Sequence, residues 1–111
     1  MKTWQEELFL KIIKREEPAT ILYEDDKVIA FLDKYAHTKG HFLVVPKVYS
    51  RNLYTITDAD LSYLILKARE FALKEVQKLG ATGFKLLINN EPDAEQSIFH
   101  THVHIIPYYK K

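Results

Sequence analysis

Residues 57–80 read TDADLSYLILKAREFALKEVQKLG, and a single helix accounts for all of them. Thr57 stands as an N-cap with Asp60 three positions on, and the carboxylates of Asp58 and Asp60 suit the positive end of a helix. Leu61, Leu64, Ile65, Ala68, Ala72, Val76 and Leu79 recur at steps of three and four, with Lys67, Arg69, Glu70, Lys74 and Glu75 between them, until Gly80 ends the pattern. That is about 22 residues, or roughly 33 Å at the helical rise.

Outward from this helix the elements are short. Upstream, Thr20–Tyr23 and Val28–Leu32 read as a hairpin around the turn Glu24-Asp25-Asp26-Lys27, and His41–Pro46 follows Gly40 as a strand of about five residues. Downstream, Phe84–Asn89 reads as a strand, Asn90–Glu95 as a polar loop and Ile98–Pro107 as a final strand. Near the amino terminus, Trp4, Leu8, Phe9, Ile12 and Ile13 have helical spacing within Thr3–Lys14. Only the long helix can serve as a crossover between parallel strands, so the order predicts an α+β domain with a largely antiparallel sheet. Its helices are expected on one face, leaving the other to a ligand.

The chain of 111 residues is sized for one domain spanning 1–111. Apolar residues make up 47% and charged residues 28%, a globular balance. A net charge of +1 and no basic run beyond Lys110-Lys111 argue against a nucleic-acid partner. With no cysteine there is no disulfide, thiolate zinc site or cysteine nucleophile. Met1–Leu10 mixes Lys2, Glu6 and Glu7 with apolar residues, which predicts neither a signal peptide nor a membrane span, and a cytoplasmic location is expected.

Three of the five histidines, His100, His102 and His104, fall in alternation. On a strand their rings share one side while Thr101, Val103 and Ile105 take the other. A metal site is one reading, but on a regular strand the outer rings are rooted about 13 Å apart, too far to share an ion. Two adjacent rings with His41 or His37 remain as a ligand set. The other reading is nucleophilic catalysis: a neutral imidazole attacks phosphorus with one nitrogen while a hydrogen bond fixes the other. The flanking rings then steady the phosphoryl oxygens and protonate the leaving group. His102, in the middle, is the expected attacker, and no metal or cofactor is required.

The run His100-Thr101-His102-Val103-His104-Ile105-Ile106 resembles the motif of the histidine triad (HIT) superfamily. Phe9–Ile13 with Pro18, Tyr23-Glu24-Asp25-Asp26, Ala30-Phe31-Leu32-Asp33, Gly40–Lys47, Asn89 and Gln96-Ser97 resemble its Hint branch in order and spacing. The resemblance implies a HIT-like fold, with a five- to six-stranded sheet and one short and one long helix. It implies a nucleotidyl hydrolase or transferase acting on purine nucleoside 5'-phosphoramidates, of AMP or GMP type, through a nucleotidyl-His102 intermediate. Dinucleoside polyphosphate hydrolysis, or nucleotide binding without turnover, is the alternative. His104 and Ser97 would meet the phosphate and leaving group, with Asn89 and the backbone around Gln96-Ser97 completing the anion cradle. His41 and His100 would pair behind the nucleophile. Asp33 would accept from the ribose hydroxyls, and Leu8, Phe9, Ile12 and Phe31 would line the base pocket. A homodimer through the long helix and the following strand is likewise implied.

The chain departs from that pattern in places. Where many bacterial relatives carry a zinc-binding Cys-x-x-Cys, it has Glu7 and Leu10; Tyr49 stands where histidine is frequent, and Lys34 replaces an apolar residue. Glu95 replaces the glycine before Gln96, in a loop, Glu91-Pro92-Asp93-Ala94, poor in glycine. The Glu95 carboxylate, beside an anion cradle, is expected to repel the substrate. His37 matches no role in the family and reads as a surface residue.

Overall fold

Val28-Ile29-Ala30-Phe31-Leu32 and Phe42-Leu43-Val44-Val45-Pro46 lack a polar face, and such strands need cover on both sides. A computed structural model of the chain describes the backbone of residues 4–110 and the side chains of residues 8–110. It supplies the cover with two helices on opposite faces. Helix α2 (Asp58–Leu79) lays Leu64, Ala68, Phe71 and Ala72 on Val28, Ala30, Phe42, Val44, Val103 and Ile105. Helix α1 (Trp4–Ile13) lays Phe9 and Ile12 on Ile29, Phe31, Leu43 and Val45. The expectation of both helices on one face is therefore corrected. Alternating residues of the same two strands feed two separate cores, and α1 lies on the histidine side. Trp4, counted in the helical spacing, and the reading of Met1-Lys2-Thr3 fall outside the described side chains.

Five strands form one antiparallel sheet: β1 (Ile21–Glu24), β2 (Val28–Leu32), β3 (Phe42–Pro46), β4 (Gly83–Leu87) and β5 (Val103–Tyr108), in the order β1-β2-β3-β5-β4. Helix α2 carries the chain from β3 over to β4, and β5 then returns through the gap between them. Thr57 caps α2 by accepting from the Asp60 amide at 3.1 Å. Gly80 ends it with φ of +71°, a left-handed conformation that favours glycine. Gly40 (φ +86°) also takes a conformation that favours glycine, and a Cβ there would push aside the end of the Leu79 side chain.

The last strand is shorter than the sequence predicts, beginning at Val103 and not Ile98. Residues 98–102 are held by other bonds. The Thr101 amide donates to the Ser50 carbonyl (2.8 Å), the Ser50 and Thr101 hydroxyls meet at 2.6 Å, and His100 Nε2 donates to the Pro46 carbonyl (2.7 Å). Backbone polar groups must be satisfied somewhere, and here side chains and the 46–50 segment take over from the ladder. No described helix is long and apolar enough to cross a membrane.

Candidate active site

His104 enters from β5, opposite Leu43 of β3 and Leu87 of β4, while His102 and His100 precede the strand. All three remain on the α1 side. Phe9 meets the His100 and His102 rings edge-on at centroid distances of 5.8 and 5.0 Å, and His102 and His104 lie 4.9 Å apart.

The hydrogen bonds decide where each proton sits. His102 Nδ1 lies 2.7 Å from the His100 carbonyl, which only accepts, so Nδ1 carries the proton and the lone pair is on Nε2. The ring is just 5% exposed, yet Nε2 is neither hydrogen-bonded nor sealed among the described residues. What is buried is the edge against Phe9 and the nitrogen facing the carbonyl.

His104 is held the opposite way. The His37 amide donates to His41 Nδ1 at 2.9 Å, so the neutral His41 ring carries its proton on Nε2 and donates to His104 Nδ1 at 3.0 Å. A neutral His104 therefore presents Nε2–H. Burial lowers the pKa of His41 and His102, and it is the main reason that of His104 falls to about 4, helped by the neighbouring His102 and His41. At pH 7 all three rings are neutral, a lone pair on one facing ring and an N–H on the next.

The expected pairing of His41 with His100 is corrected by this arrangement. His41 bonds His104, while His100 donates to Pro46 and receives the edge of Tyr49 at 5.4 Å. The side chain of His37 is exposed, as the sequence predicts, but its backbone amide fixes the His41 tautomer.

Asp33, His41 and His104 also raise the question of a metal. Their donor atoms lie 3.0, 3.4 and 3.8 Å apart, close to the ~3.3 Å spacing of ligands around tetrahedral zinc with ~2.0 Å bonds. The protonation pattern does not fit. A ligating histidine donates from its other nitrogen, whereas His41 Nδ1 accepts from an amide and its Nε2 has no free lone pair.

Next to the triad is a cavity of about 370 Å³ walled by Leu8, Phe9, Ile12, Phe31, Leu43 and Ile98, with Asp33, Lys34 and Tyr35 along one side. The five residues expected at the nucleoside site, Leu8, Phe9, Ile12, Phe31 and Asp33, all line it. Leu43 and Ile98 were not anticipated. Leu43 follows from register, since it pairs with Phe31; Ile98 comes from a bend with no local signal. Phe9 and Asp33 join cavity to triad: Phe9 touches His102, and Asp33 Oδ2 lies 3.4 Å from His41 Nε2.

Of the expected anion-binding residues, Asn89 and Ser97 have side-chain polar groups that bond to nothing among the described residues. Gln96 is a correction. It is buried, its Oε1 accepts from Asn52 and the Glu91 amide, its Nε2 donates to the Arg51 and Ile98 carbonyls, and its amide bonds the Glu91 carbonyl. With both side-chain ends and its N–H in use, Gln96 holds the loop and has no donor for a phosphate. At the start of the same loop the Glu91 carboxylate accepts from Arg51 at 2.9 and 3.1 Å.

Known proteins match this sequence and fold closely. An uncharacterized 13.1 kDa HIT-like protein of Mesomycoplasma hyorhinis is 90% identical over the full length of both chains. The adenylylsulfatase HINT3 of Arabidopsis thaliana is 38% identical over 90% of this chain, which spans 51% of that protein. The crystal structure of a hypothetical histidine triad nucleotide-binding protein from Sulfolobus tokodaii strain7 superposes with a TM-score of 0.92 at 38% identity, covering 94% of this chain and 70% of that one. The HIT domain family matches residues 14–111, and on that footing the chain belongs to the HIT family of nucleotide-binding and nucleotide-hydrolysing proteins.

Proposed function

We propose that the protein hydrolyses purine nucleoside 5'-phosphoramidates through a covalent nucleotidyl-His102. The observation carrying this reading is the pair of opposed tautomers beside an apolar cavity: a lone pair at His102 Nε2 and a proton at His104 Nε2. His102 Nε2 attacks phosphorus as the P–N bond to the amine breaks, and His104, which takes up a second proton from solvent under the negative charge of the bound phosphoryl group, gives its Nε2 proton to the departing nitrogen and is left neutral. Water then attacks the adduct and gives its proton to His104, while the P–Nε2 bond breaks and its electrons return to His102. A neutral ring suits His102, since a protonated one could not attack.

In this reading the base occupies the apolar slot and Asp33 accepts from the ribose, with Asn89 and Ser97 at the phosphoryl oxygens. A cavity of this volume suits one nucleoside better than two, which favours a small leaving group over a dinucleoside polyphosphate. The adenylylsulfatase relative supports a second leaving group, sulfate, on the same adenylyl chemistry. The protein acts as a homodimer: Leu66 and Leu73, 56% and 54% exposed, lie two turns apart on the outer side of α2, and Leu86 on edge strand β4 is 40% exposed.

The test is intact-mass measurement after a rapid quench without acid, on the parent chain and on His102→Ala, each mixed with an adenosine phosphoramidate. An adenylyl adduct on the parent and none on the variant is expected. An adduct surviving in His102→Ala moves the nucleophile elsewhere, and faster turnover of diadenosine tetraphosphate than of the phosphoramidate moves the substrate class.

A further inference from the structure

The loop between β4 and β5 holds two non-glycine residues in backbone conformations that favour glycine. Glu91 has φ of +78° and ψ of 155°, in a region that is nearly glycine-only, and Glu95 has φ of +71° and ψ of 19°. Side chains rarely persist there unless the surroundings over-determine them.

Here the surroundings are the four residues 50–53. Ser50 bonds Thr101 through its hydroxyl and carbonyl, and the Leu53 amide donates to Asn90 Oδ1 at 2.9 Å. Asn52, fully buried, donates to Gln96 Oε1 at 2.9 Å and to Glu91. Arg51 Nε and Nη2 grip the two oxygens of the Glu91 carboxylate, and the guanidinium lies over the Phe99 ring at 4.4 Å. A two-point guanidinium–carboxylate bond fixes direction as well as distance. Arg51 thus joins the first residue of the loop turn to its last aromatic and closes a frame around Gln96 and Ser97. Within it Gln96 has no donor left, and Ser97 presents an amide and a hydroxyl bonded to nothing among the described residues.

We infer that Arg51 is a positioning residue: through Glu91 it holds the 90–97 loop in its strained shape, so that Ser97 and Asn89 face a phosphoryl group. The inference rests on the nucleotide-binding reading above. Without Arg51, the Glu91 carboxylate loses its cation and the disfavoured backbone is left to its bonds with Gln96 and Asn52, so the loop relaxes and the Ser97 amide shifts with it.

Calorimetric titration with AMP and with adenosine tests it, because only AMP engages the loop. The parent chain should bind AMP more tightly than adenosine; no binding of either overturns the nucleotide-binding reading itself. Arg51→Ala should weaken AMP at least tenfold and leave adenosine within twofold. The double variant Arg51→Ala/Glu91→Gly removes the stray charge and the disfavoured side chain together, and should recover AMP binding to within threefold of the parent. AMP affinity unchanged in Arg51→Ala, equal loss of AMP and adenosine, or no recovery in the double variant each overturns the inference. If Arg51→Ala does not fold, Arg51→Lys, which keeps the charge and loses the two-point grip, should weaken AMP about threefold, and unchanged binding there overturns it as well.

Discussion

His102 and His104 are two positions apart, share a face and hold their protons on opposite nitrogens. The alternation that brings them together was legible in the sequence. The tautomers were not, because one is set by a backbone carbonyl and the other by the His37 amide acting through His41. Nitrogen-15 spectra of the imidazoles at pH 7 should show His102 protonated at Nδ1 and His104 at Nε2. In His41→Asn, His104 should become a mixture of tautomers and turnover should fall by roughly one to two orders of magnitude, the scale of a general acid's contribution, while the His102 signals stay put. An unchanged His104 tautomer in that variant would show that His41 does not set it. Burial has a further cost that pH reveals. A folded pKa of about 4 for His104, below the unfolded value near 6.5, means that the unfolded chain takes up a proton the folded one refuses. Stability is therefore full well above pH 6.5 and declines as pH falls through that value toward 4. Melting temperatures taken from pH 7.5 to 4.5 should fall along that window, and His104→Asn should flatten the decline.

At the scale of elements, the boundaries of α2 were written in Thr57 and Gly80, and the hairpin in its acidic turn. Helix α1 was found by its spacing but placed on the wrong side. The information was present: β2 and β3 have no polar alternation, and two all-apolar strands demand two covers. The start of β5 was misjudged for a different reason. Thr101 and Ile98 are good strand formers, and only the distant Ser50 and Pro46 carbonyls reveal why the chain bends there. Likewise Arg51 and Asn52 gave no local sign of their work, since their partners lie some 40 residues away. Long-range polar pairing leaves no periodicity to read.

For the whole molecule, the outer side of α2 and the β4 edge leave apolar surface of the kind that marks contacts between chains. The proposed dimer predicts a light-scattering mass about twice the 13.1 kDa of one chain. Leu73→Lys should shift it to a single chain at micromolar concentration without unfolding, because a lysine at this exposed position finds water when the partner leaves. A parent chain that scatters as one copy would remove the dimer from the account. Helix α1 carries a last implication. It reaches the sheet through Phe9 and Ile12 and is woven into no ladder, yet those two side chains are also a wall of the nucleoside-sized cavity. Ligand capture and attachment of the amino-terminal segment are then one equilibrium seen from two ends, and whatever fastens or loosens that segment tunes how long a nucleotide stays.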